Sequence, residues 1–326
     1  MPRVLLTSTS FQDTPGAHHD LLRSTGWEVV TARGPLNEAD TLALMGEFDG
    51  YICGDDTITA RVIAKALPRL KVISKYGIGT DKIDLAAATA AGIPVLFTPG
   101  VNHTTVAEHA FLLLLALERN LLFHTDSTRS GGWKRRTGFE LLGKTMGIVG
   151  LGRIGKEVAV RAKAFGIHLV GHGRHWDDAF AAAHGIRRMR TIEELLAVSD
   201  YVSLHTDLKP ETHNLICAAS LTKLKPGALI VNCARGEVVN SADVAAALKS
   251  GQLRGYATDV LDQEPPPADH PLTNLPNCIV TPHIASRTAE SVQRQASCAV
   301  ENLLNAFRGE KPEGIKNPEV PFRRHF

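Results

Sequence analysis

The sequence has few of the features that mark a secreted, membrane-spanning or nucleic-acid-binding protein. Its five cysteines are odd in number, scattered and without C-x-x-C spacing, which is typical of reduced thiols in a cytoplasmic protein. The longest apolar run, residues 110–117, is far shorter than the roughly 20 residues of a membrane-spanning helix. Lys and Arg number 36 against 34 Asp and Glu, so no charge excess favours nucleic acid or an anionic membrane as partner. No residue cluster predicts a metal site.

The sequence does have the material for a large hydrophobic core. Its 326 residues are 44% hydrophobic and suggest two domains of ordinary size. Short β-branched runs alternate with helical patterns in the first third of the chain. The predicted strands are 4–7, 28–30, 50–53, 71–74 and 94–97, and the predicted helices lie near 17–25, 57–66 and 82–91. This alternation indicates a parallel sheet that is covered on both faces.

A glycine-rich turn follows near the middle of the chain. Gly150, Gly152 and Gly155 have G-x-G-x-x-G spacing between an apolar run, 146–149, and a helical pattern, 156–166. In that context the first glycine permits a tight turn, the second lets the backbone approach a pyrophosphate, and the third allows the helix to pack closely on the strand. Unpaired N–H groups at the helix N-terminus also attract phosphate. The segment therefore predicts dinucleotide binding.

The next predicted strand lacks the carboxylate that is usual in sites for NAD. Such sites place an Asp or Glu about 20 residues past the glycines, where it binds the adenosine ribose 2′-hydroxyl. Here Gly173 stands at that position and Arg174 follows it. An arginine there can form charge-assisted hydrogen bonds with a 2′-phosphate, so we expect NADP(H) to be preferred, with NAD(H) possible. The alternative is that Arg174 is a solvated loop charge and that cofactor selectivity is loose.

The remaining patterns predict an α/β fold of two Rossmann-like, doubly wound parallel-sheet domains. A long apolar helix is predicted over 104–122, a polar stretch over 125–138, further strands at 201–205, 228–233, 255–259 and 278–281, and a closing helix at 287–308. Residues 1–100 plus 286–326 are predicted to form the substrate-binding domain. Residues 101–285 are predicted to form the dinucleotide-binding domain. We expect the active site in the cleft between them.

Three late strands end in groups that suit hydride transfer to a carbonyl beside a carboxylate. They end near Arg235, Glu264 and His283, and the carboxyl ends of such strands line the ligand crevice of a doubly wound sheet. An arginine can bind the substrate carboxylate, a histidine can donate the proton, and a carboxylate can orient that histidine. Each also has a structural alternative, as an ion-pair partner, a surface carboxylate and a backbone-bonded histidine.

Taken together, these motifs resemble the D-isomer-specific 2-hydroxyacid dehydrogenases. The likeness covers nearly the whole chain and rests on residues 75–84, 106–108, 132–133, 204–205, 230–237, 259–265 and 282–283. It implies an NAD(P)-dependent oxidoreductase acting on a small 2-hydroxy or 2-keto acid. It also implies a homodimer through the cofactor domain, which fits the strongly apolar helix after residue 104.

The resemblance implies three groups of site residues. The catalytic group is Arg235, Glu264 and His283. Besides the glycines, cofactor contacts are implied at the turn and at strand ends: Arg153, Ile154, Thr206, Cys233 and Asp259. The substrate carboxylate is expected to meet Lys75, Gly77 and Arg235.

The sequence departs from the family pattern where a substrate phosphate would bind. Phosphoglycerate dehydrogenases of similar length tend to have arginines at two positions that here hold Gly54-Asp55 and Lys75. An aspartate there would repel a phosphate dianion, so we expect an uncharged tail, as in glyoxylate, hydroxypyruvate or a sugar-derived 2-keto acid. The alternatives are an NAD-dependent D-3-phosphoglycerate dehydrogenase and a non-enzymatic, NAD(H)-sensing binding protein like the corepressors that keep the same three catalytic residues.

Overall fold

The alternating strand and helix patterns form two separate units in the computed structural model, which describes residues 1–325. One unit comprises Met1–Asn102 together with the C-terminal segment from Arg287, and the other comprises His103–Ser286. The elements of the first unit up to residue 102 are β1 (Arg3–Leu6), α1 (Thr9–Asp13), α2 (His18–Ser24), β2 (Glu28–Thr31), α3 (Glu38–Leu44), β3 (Gly50–Cys53), α4 (Ala60–Ala66), β4 (Val72–Lys75), α5 (Leu85–Ala90) and β5 (Val95–Leu96).

These five strands form a parallel sheet in the order β2-β1-β3-β4-β5. Two of the three interior strands, β3 and β4, are buried along their whole length, as expected for a parallel sheet covered on both faces. Because all the strands are parallel, their carboxyl ends lie at one edge. That edge carries Thr7, Gly54 and Lys75.

The second unit is built around a seven-stranded parallel sheet in the order β12-β11-β10-β9-β6-β7-β8. Its elements are α6 (His103–Glu118), α7 (Leu121–Arg129), β6 (Thr145–Val149), α8 (Arg153–Ala164), β7 (His168–His172), α9 (Asp178–His184), β8 (Ile186–Arg188), α10 (Ile192–Val198), β9 (Tyr201–Leu204), α11 (Ala218–Leu221), β10 (Ala228–Asn232), α12 (Ser241–Ser250), β11 (Leu253–Thr258) and β12 (Cys278–Val280). Both domains of the predicted fold class are therefore present as parallel-sheet α/β units.

The closing helix, α13 (Ala289–Phe307), belongs to the first unit. Its N-cap Thr288 accepts a hydrogen bond from the Ser291 N–H group. One face of the helix, with Ala296, Val300 and Leu303, is buried against apolar residues of β1, β3 and β4. The 3.6-residue spacing of these side chains is the reason that the helix lies on the sheet.

The predicted helix over 104–122 is two helices in the structure. Helix α6 ends at Glu118, Asn120 adopts a left-handed conformation with φ of 49°, and α7 runs into the polar stretch, to which no helix was assigned. Asparagine tolerates this conformation better than most residues. The Glu118 side chain is fully buried and both its oxygens accept hydrogen bonds from Arg254, at 2.7 Å each. The break therefore coincides with an ion pair between α6 and β11, which the helical pattern alone did not reveal.

Candidate active site

The glycine turn connects β6 to α8 with the geometry that the sequence predicted. Gly150 has φ of 96°, and a Cβ atom at this position would lie 2.4 Å from the backbone oxygen of His205. A Cβ atom at Gly155 would lie 2.0 Å from the backbone oxygen of Gly150. Neither position therefore accommodates a side chain, which is the reason for glycine at the first and third positions of the motif.

Gly152 differs from these two glycines because the space around it is open. It is the N-cap of α8, and a Cβ atom there would meet no atom within 4 Å. Arg153 is exposed at the start of the helix, whereas Ile154 packs against the core. The turn thus presents an open backbone and the N-terminus of a 12-residue helix, an arrangement that fits a dinucleotide pyrophosphate.

The end of β7 lies beside this turn. A Cβ atom at Gly173 would lie 3.4 Å from the Leu151 nitrogen, so a carboxylate at this position would adjoin the turn. The following residue, Arg174, is exposed and forms no hydrogen bond or ion pair within residues 1–325. Nearby, Asp207 pairs with Lys209, and Arg174 also contributes to lowering the pKa of this carboxyl group.

Two of the three predicted catalytic side chains are in direct contact. Glu264 accepts a hydrogen bond from Nδ1 of His283 through Oε2 at 2.8 Å, when that nitrogen carries its proton, and its Oε1 accepts one from the Leu261 N–H group at 2.9 Å. The side chains of His283 and Glu264 are 36% and 22% exposed, so the imidazole is accessible while the carboxylate is partly shielded. Because Nδ1 faces the carboxylate, Nε2 of His283 is the ring nitrogen that can serve a substrate.

The third, Arg235, follows β10 at the same edge of the sheet. A Cβ atom on its neighbour Gly236 would lie 1.9 Å from the backbone carbon of Leu261, so the Arg235 segment packs directly against the segment that leads to Glu264. Asn232 holds this segment, since its Nδ2 donates to the Arg235 carbonyl oxygen at 2.9 Å. The guanidinium Nη1 donates to the Ala234 carbonyl oxygen at 2.7 Å.

The other residues implied for the cofactor have varied surroundings. Thr206 is half-buried directly after β9. Cys233 is 9% exposed, and burial raises the pKa of its thiol. Asp259 is only 1% exposed, and its carboxylate accepts hydrogen bonds from Thr281 Oγ1 and from the N–H groups of Ile284 and Ala285.

In the first unit, the residues implied for the substrate are already engaged. The Lys75 side chain is 5% exposed, and its ammonium donates to Asp55 Oδ1 and to the Gly54 carbonyl oxygen, both at 2.7 Å. The Gly77 N–H group donates to Thr98 Oγ1 at 3.0 Å. Further along the same loop, the N–H groups of Ile78 and Gly79 form no hydrogen bond within residues 1–325. These two amides are available to bind an anion.

One group of residues near the site was not identified from the sequence. His109 on α6 and Thr281 after β12 are in contact with each other and with Asp259, and they lie directly behind the loop that carries His283. In the sequence, the only indication of this group was His109 itself, a polar residue in a strongly apolar helix. Spacing alone did not connect His109 with a residue more than 170 positions away.

The described residues contain no group of three or more His, Cys, Asp or Glu side chains arranged to hold a metal ion. Over the same part of the chain, no helix is long and apolar enough to cross a membrane. The five cysteines are all unpaired, and Cys53 and Cys233 are buried.

Comparison with known proteins connects this geometry with a family. Residues 111–285 match the family model described as "D-isomer specific 2-hydroxyacid dehydrogenase, NAD binding domain". A glyoxylate reductase from Thermofilum pendens is 40% identical over 88% of this chain and 86% of its own length. A D-3-phosphoglycerate dehydrogenase from Methanocaldococcus jannaschii is 36% identical over 98% of this chain, which spans only 60% of that relative's length.

A solved structure, that of the TT0316 protein from Thermus thermophilus, is 41% identical and superposes with a TM-score of 0.86, covering 96% of this chain and 99% of the other. The family match includes the glycine turn and the three strand ends with Arg235, Glu264 and His283. The chain therefore belongs to the D-isomer-specific 2-hydroxyacid dehydrogenase family.

Proposed function

We propose that this protein is an NADP(H)-preferring oxidoreductase that reduces a small 2-keto acid with an uncharged tail to the corresponding 2-hydroxy acid. The observation that carries the proposal is the His283–Glu264 pair, which lies on the sheet that also holds the glycine turn. The substrate classes under this proposal are glyoxylate, hydroxypyruvate and sugar-derived 2-keto acids.

The three residues at the strand ends have separate roles in the proposed reaction: one binds the substrate, one transfers the proton and one orients the proton donor. When bound, the reduced nicotinamide supplies a hydride to the carbonyl carbon of the substrate. Arg235 binds the substrate carboxylate and polarises the neighbouring carbonyl. His283 gives its Nε2 proton to the carbonyl oxygen, which becomes the hydroxyl of the product. Glu264 holds the imidazole by its Nδ1 and stabilises its protonated form.

The preference for NADP(H) is supported by the surroundings of the β7 end. No carboxylate is present at Gly173 to accept a ribose hydroxyl, and the exposed guanidinium of Arg174 follows directly. A 2′-phosphate there gains charge-assisted hydrogen bonds from an arginine that has no hydrogen-bonded partner in the described structure. The remaining cofactor contacts in this proposal are the open turn at Gly152 with Arg153, and Thr206 beyond β9.

The preference for an uncharged tail is supported by the Lys75–Asp55 pair. A phosphate dianion would gain from a cation at this strand edge, but the Lys75 ammonium is already matched by a carboxylate at 2.7 Å. Any anionic group that approaches Lys75 therefore also approaches Asp55, which is 47% exposed. The two unpaired amides of Ile78 and Gly79 suit the smaller, singly charged carboxylate that all candidate substrates share.

The direct test is steady-state oxidation of NADPH and of NADH with glyoxylate, hydroxypyruvate, 2-ketogluconate and 3-phosphohydroxypyruvate. We expect faster turnover with NADPH and with an unphosphorylated acid. Preference for NADH and the phosphorylated acid would instead identify an NAD-dependent D-3-phosphoglycerate dehydrogenase. No turnover with any pair, together with tight dinucleotide binding, would favour a dinucleotide-sensing binding protein.

We further propose that the protein is a cytoplasmic homodimer joined through the second unit. Eight large apolar side chains between residues 112 and 165 are exposed, with Trp133 at 76% and Leu142 at 70% as the extremes. Apolar exposure of this extent is typical of a protein–protein contact, and a second copy of this chain is the proposed partner. Sedimentation analysis should give twice the chain mass of 35.2 kDa, and Trp133→Glu should shift the protein to the monomer.

A further inference from the structure

We propose that His109 is a positioning residue for His283 and that it acts through Thr281 and Asp259. The inference rests on the proposed function, because it takes His283 as the proton donor. It assigns a role to a histidine on α6 whose side chain is 10% exposed and which is not among the residues expected to contact cofactor or substrate.

The backbone of His283 has a conformation that its surroundings must hold. Its φ is 53°, in the left-handed region that non-glycine residues rarely adopt. The His283 N–H group donates to the carbonyl oxygens of Asp259 and Thr281, both at 2.9 Å. The next two N–H groups, of Ile284 and Ala285, donate to Asp259 Oδ1 at 2.9 Å and Oδ2 at 2.7 Å. The backbone N–H groups of three successive residues therefore donate hydrogen bonds to Asp259.

The position of the Asp259 carboxylate is fixed in turn by Thr281 and His109. Thr281 Oγ1 donates its single proton to Asp259 Oδ1 at 2.6 Å. His109 Nε2 lies 2.9 Å from Thr281 Oγ1 and 3.4 Å from Asp259 Oδ1. Because the threonine proton is already used, the hydroxyl can only accept from His109, which must carry its proton on Nε2. The hydrogen bonds thus run from His109 through Thr281 and Asp259 to the backbone of His283.

Asp259 thereby holds the loop that carries His283. Both carboxylate oxygens are engaged within the protein, and the side chain is 1% exposed. Glu264 fixes the ring of His283 from the other side. Because the backbone and the ring of His283 are both held, the orientation of its Nε2 is fixed. A small rotation of the loop would move this nitrogen away from the substrate oxygen.

The experiment combines a double-mutant cycle with a conservative rescue. His109→Leu removes the donor, Thr281→Val removes the hydroxyl with little change of shape, and the double variant removes both. His109→Gln keeps an N–H donor, and His168→Gln changes an exposed histidine of the same unit as control. The readouts are the single-turnover rate of NADPH oxidation with the best substrate, the NADPH dissociation constant and the thermal midpoint.

We expect each single variant to slow hydride transfer roughly 10- to 100-fold, the range of a displaced reacting group. The NADPH dissociation constant should change by less than about two-fold, since neither His109 nor Thr281 is among the residues expected to contact the cofactor. The double variant should be no slower than the slower single variant, because both changes break one chain of hydrogen bonds. His109→Gln should recover part of the rate, and His168→Gln should be unchanged.

The same variants distinguish a failure of the positioning role of His109 from a failure of the proposed function. Unchanged rates in His109→Leu and Thr281→Val, with an inactive His283→Ala, would remove the positioning role and leave the proposed reaction intact. An active His283→Ala would refute the proposed function itself. Additive losses, or a loss of rate matched by weaker NADPH binding, would also contradict the positioning role. Should His109→Leu fail to fold, Thr281→Val and His109→Gln decide the question.

Discussion

The two units use the carboxyl ends of their strands in opposite ways. In the second unit, the ends of β7 and β12 present Arg174 and His283, both exposed. In the first unit, the end of β4 carries Lys75, which is buried and paired with Asp55. Both units follow the same parallel-sheet plan, yet the second exposes its candidate functional groups and the first pairs its cation with a carboxylate.

The difference shows that a functional residue type at a strand end is not sufficient to predict a contact. Arg174 and Lys75 are both cations placed by the same topology, but burial and a carboxylate at 2.7 Å change what Lys75 offers to a ligand. The first residues after β4 then present the backbone amides of Ile78 and Gly79 rather than a free ammonium. Substitutions at exposed and at paired strand ends should therefore have effects of different size.

The largest effect is expected at His283. Replacing it with alanine removes the proton donor, so we expect the turnover number to fall by roughly 10²- to 10⁴-fold. Cofactor affinity should be nearly unchanged, since Glu264 rather than the dinucleotide holds the ring. Turnover is measured by NADPH oxidation and binding by nucleotide fluorescence. A rate equal to the native one would exclude His283 from proton transfer.

A smaller effect is expected at the β7 end. Arg174→Ala should weaken NADPH binding about 10- to 150-fold, because hydrogen bonds to a charged group contribute roughly 1.5–3 kcal/mol. NADH binding should hardly change. Gly173→Asp is the matched opposite, because its carboxylate beside the turn should favour NADH and repel the 2′-phosphate. Equal losses for both nucleotides in Arg174→Ala would refute the assignment.

The second unit also has a half-buried histidine, His205, whose surroundings disfavour its charged form and whose Nε2 lies 2.7 Å from Ser203 Oγ. His205 follows β9, burial lowers its pKa from 6.5 to about 3, and its Nδ1 has no hydrogen-bond partner within the described residues. Below pH 6.5 the unfolded chain takes up a proton that the folded chain does not, so the free energy of unfolding should fall as the pH is lowered toward 3.

The expected loss between pH 7.5 and pH 5 is about 2 kcal/mol, from roughly 1.4 kcal/mol per pH unit. His205→Gln removes this contribution, so its unfolding free energy should depend less on pH over the same range. Urea unfolding at the two pH values measures both proteins. Parallel pH dependence in the two proteins would contradict burial of a neutral His205.

The smallest effect is expected at the Lys75–Asp55 pair. Asp55→Asn leaves the ammonium without its carboxylate, so kcat/KM for 3-phosphohydroxypyruvate relative to hydroxypyruvate should rise about 2- to 5-fold, the range of a partly exposed ion pair. Asp40→Asn, on the exposed side of α3, is the control and should leave the ratio unchanged. An unaltered ratio in Asp55→Asn would mean that the pair does not select the substrate tail.

Local sequence patterns were sufficient to predict most of the strands and helices. The alternation of strands and helices, the turn at Gly150 and the closing helix at α13 all appear where the sequence predicted them, because hydrophobic period and turn chemistry act within a few residues. No element was assigned to the short helices α3, α9, α10 and α12. Their few turns give a weak periodic signal, although side chains such as Asn37 and Asp177 cap them as expected of helix starts.

The sequence by itself determined the family and the α/β fold class, since ordered motifs carry them, and it predicted the site residues. Only the tertiary structure decided which of those groups are exposed and which are paired within the protein. Asn120 breaks a helix beside a Glu118–Arg254 anchor, Lys75 is matched by Asp55, and His109 reaches Thr281 across 172 positions of the chain. Each depends on contacts between distant segments, and these exist only after the chain has folded.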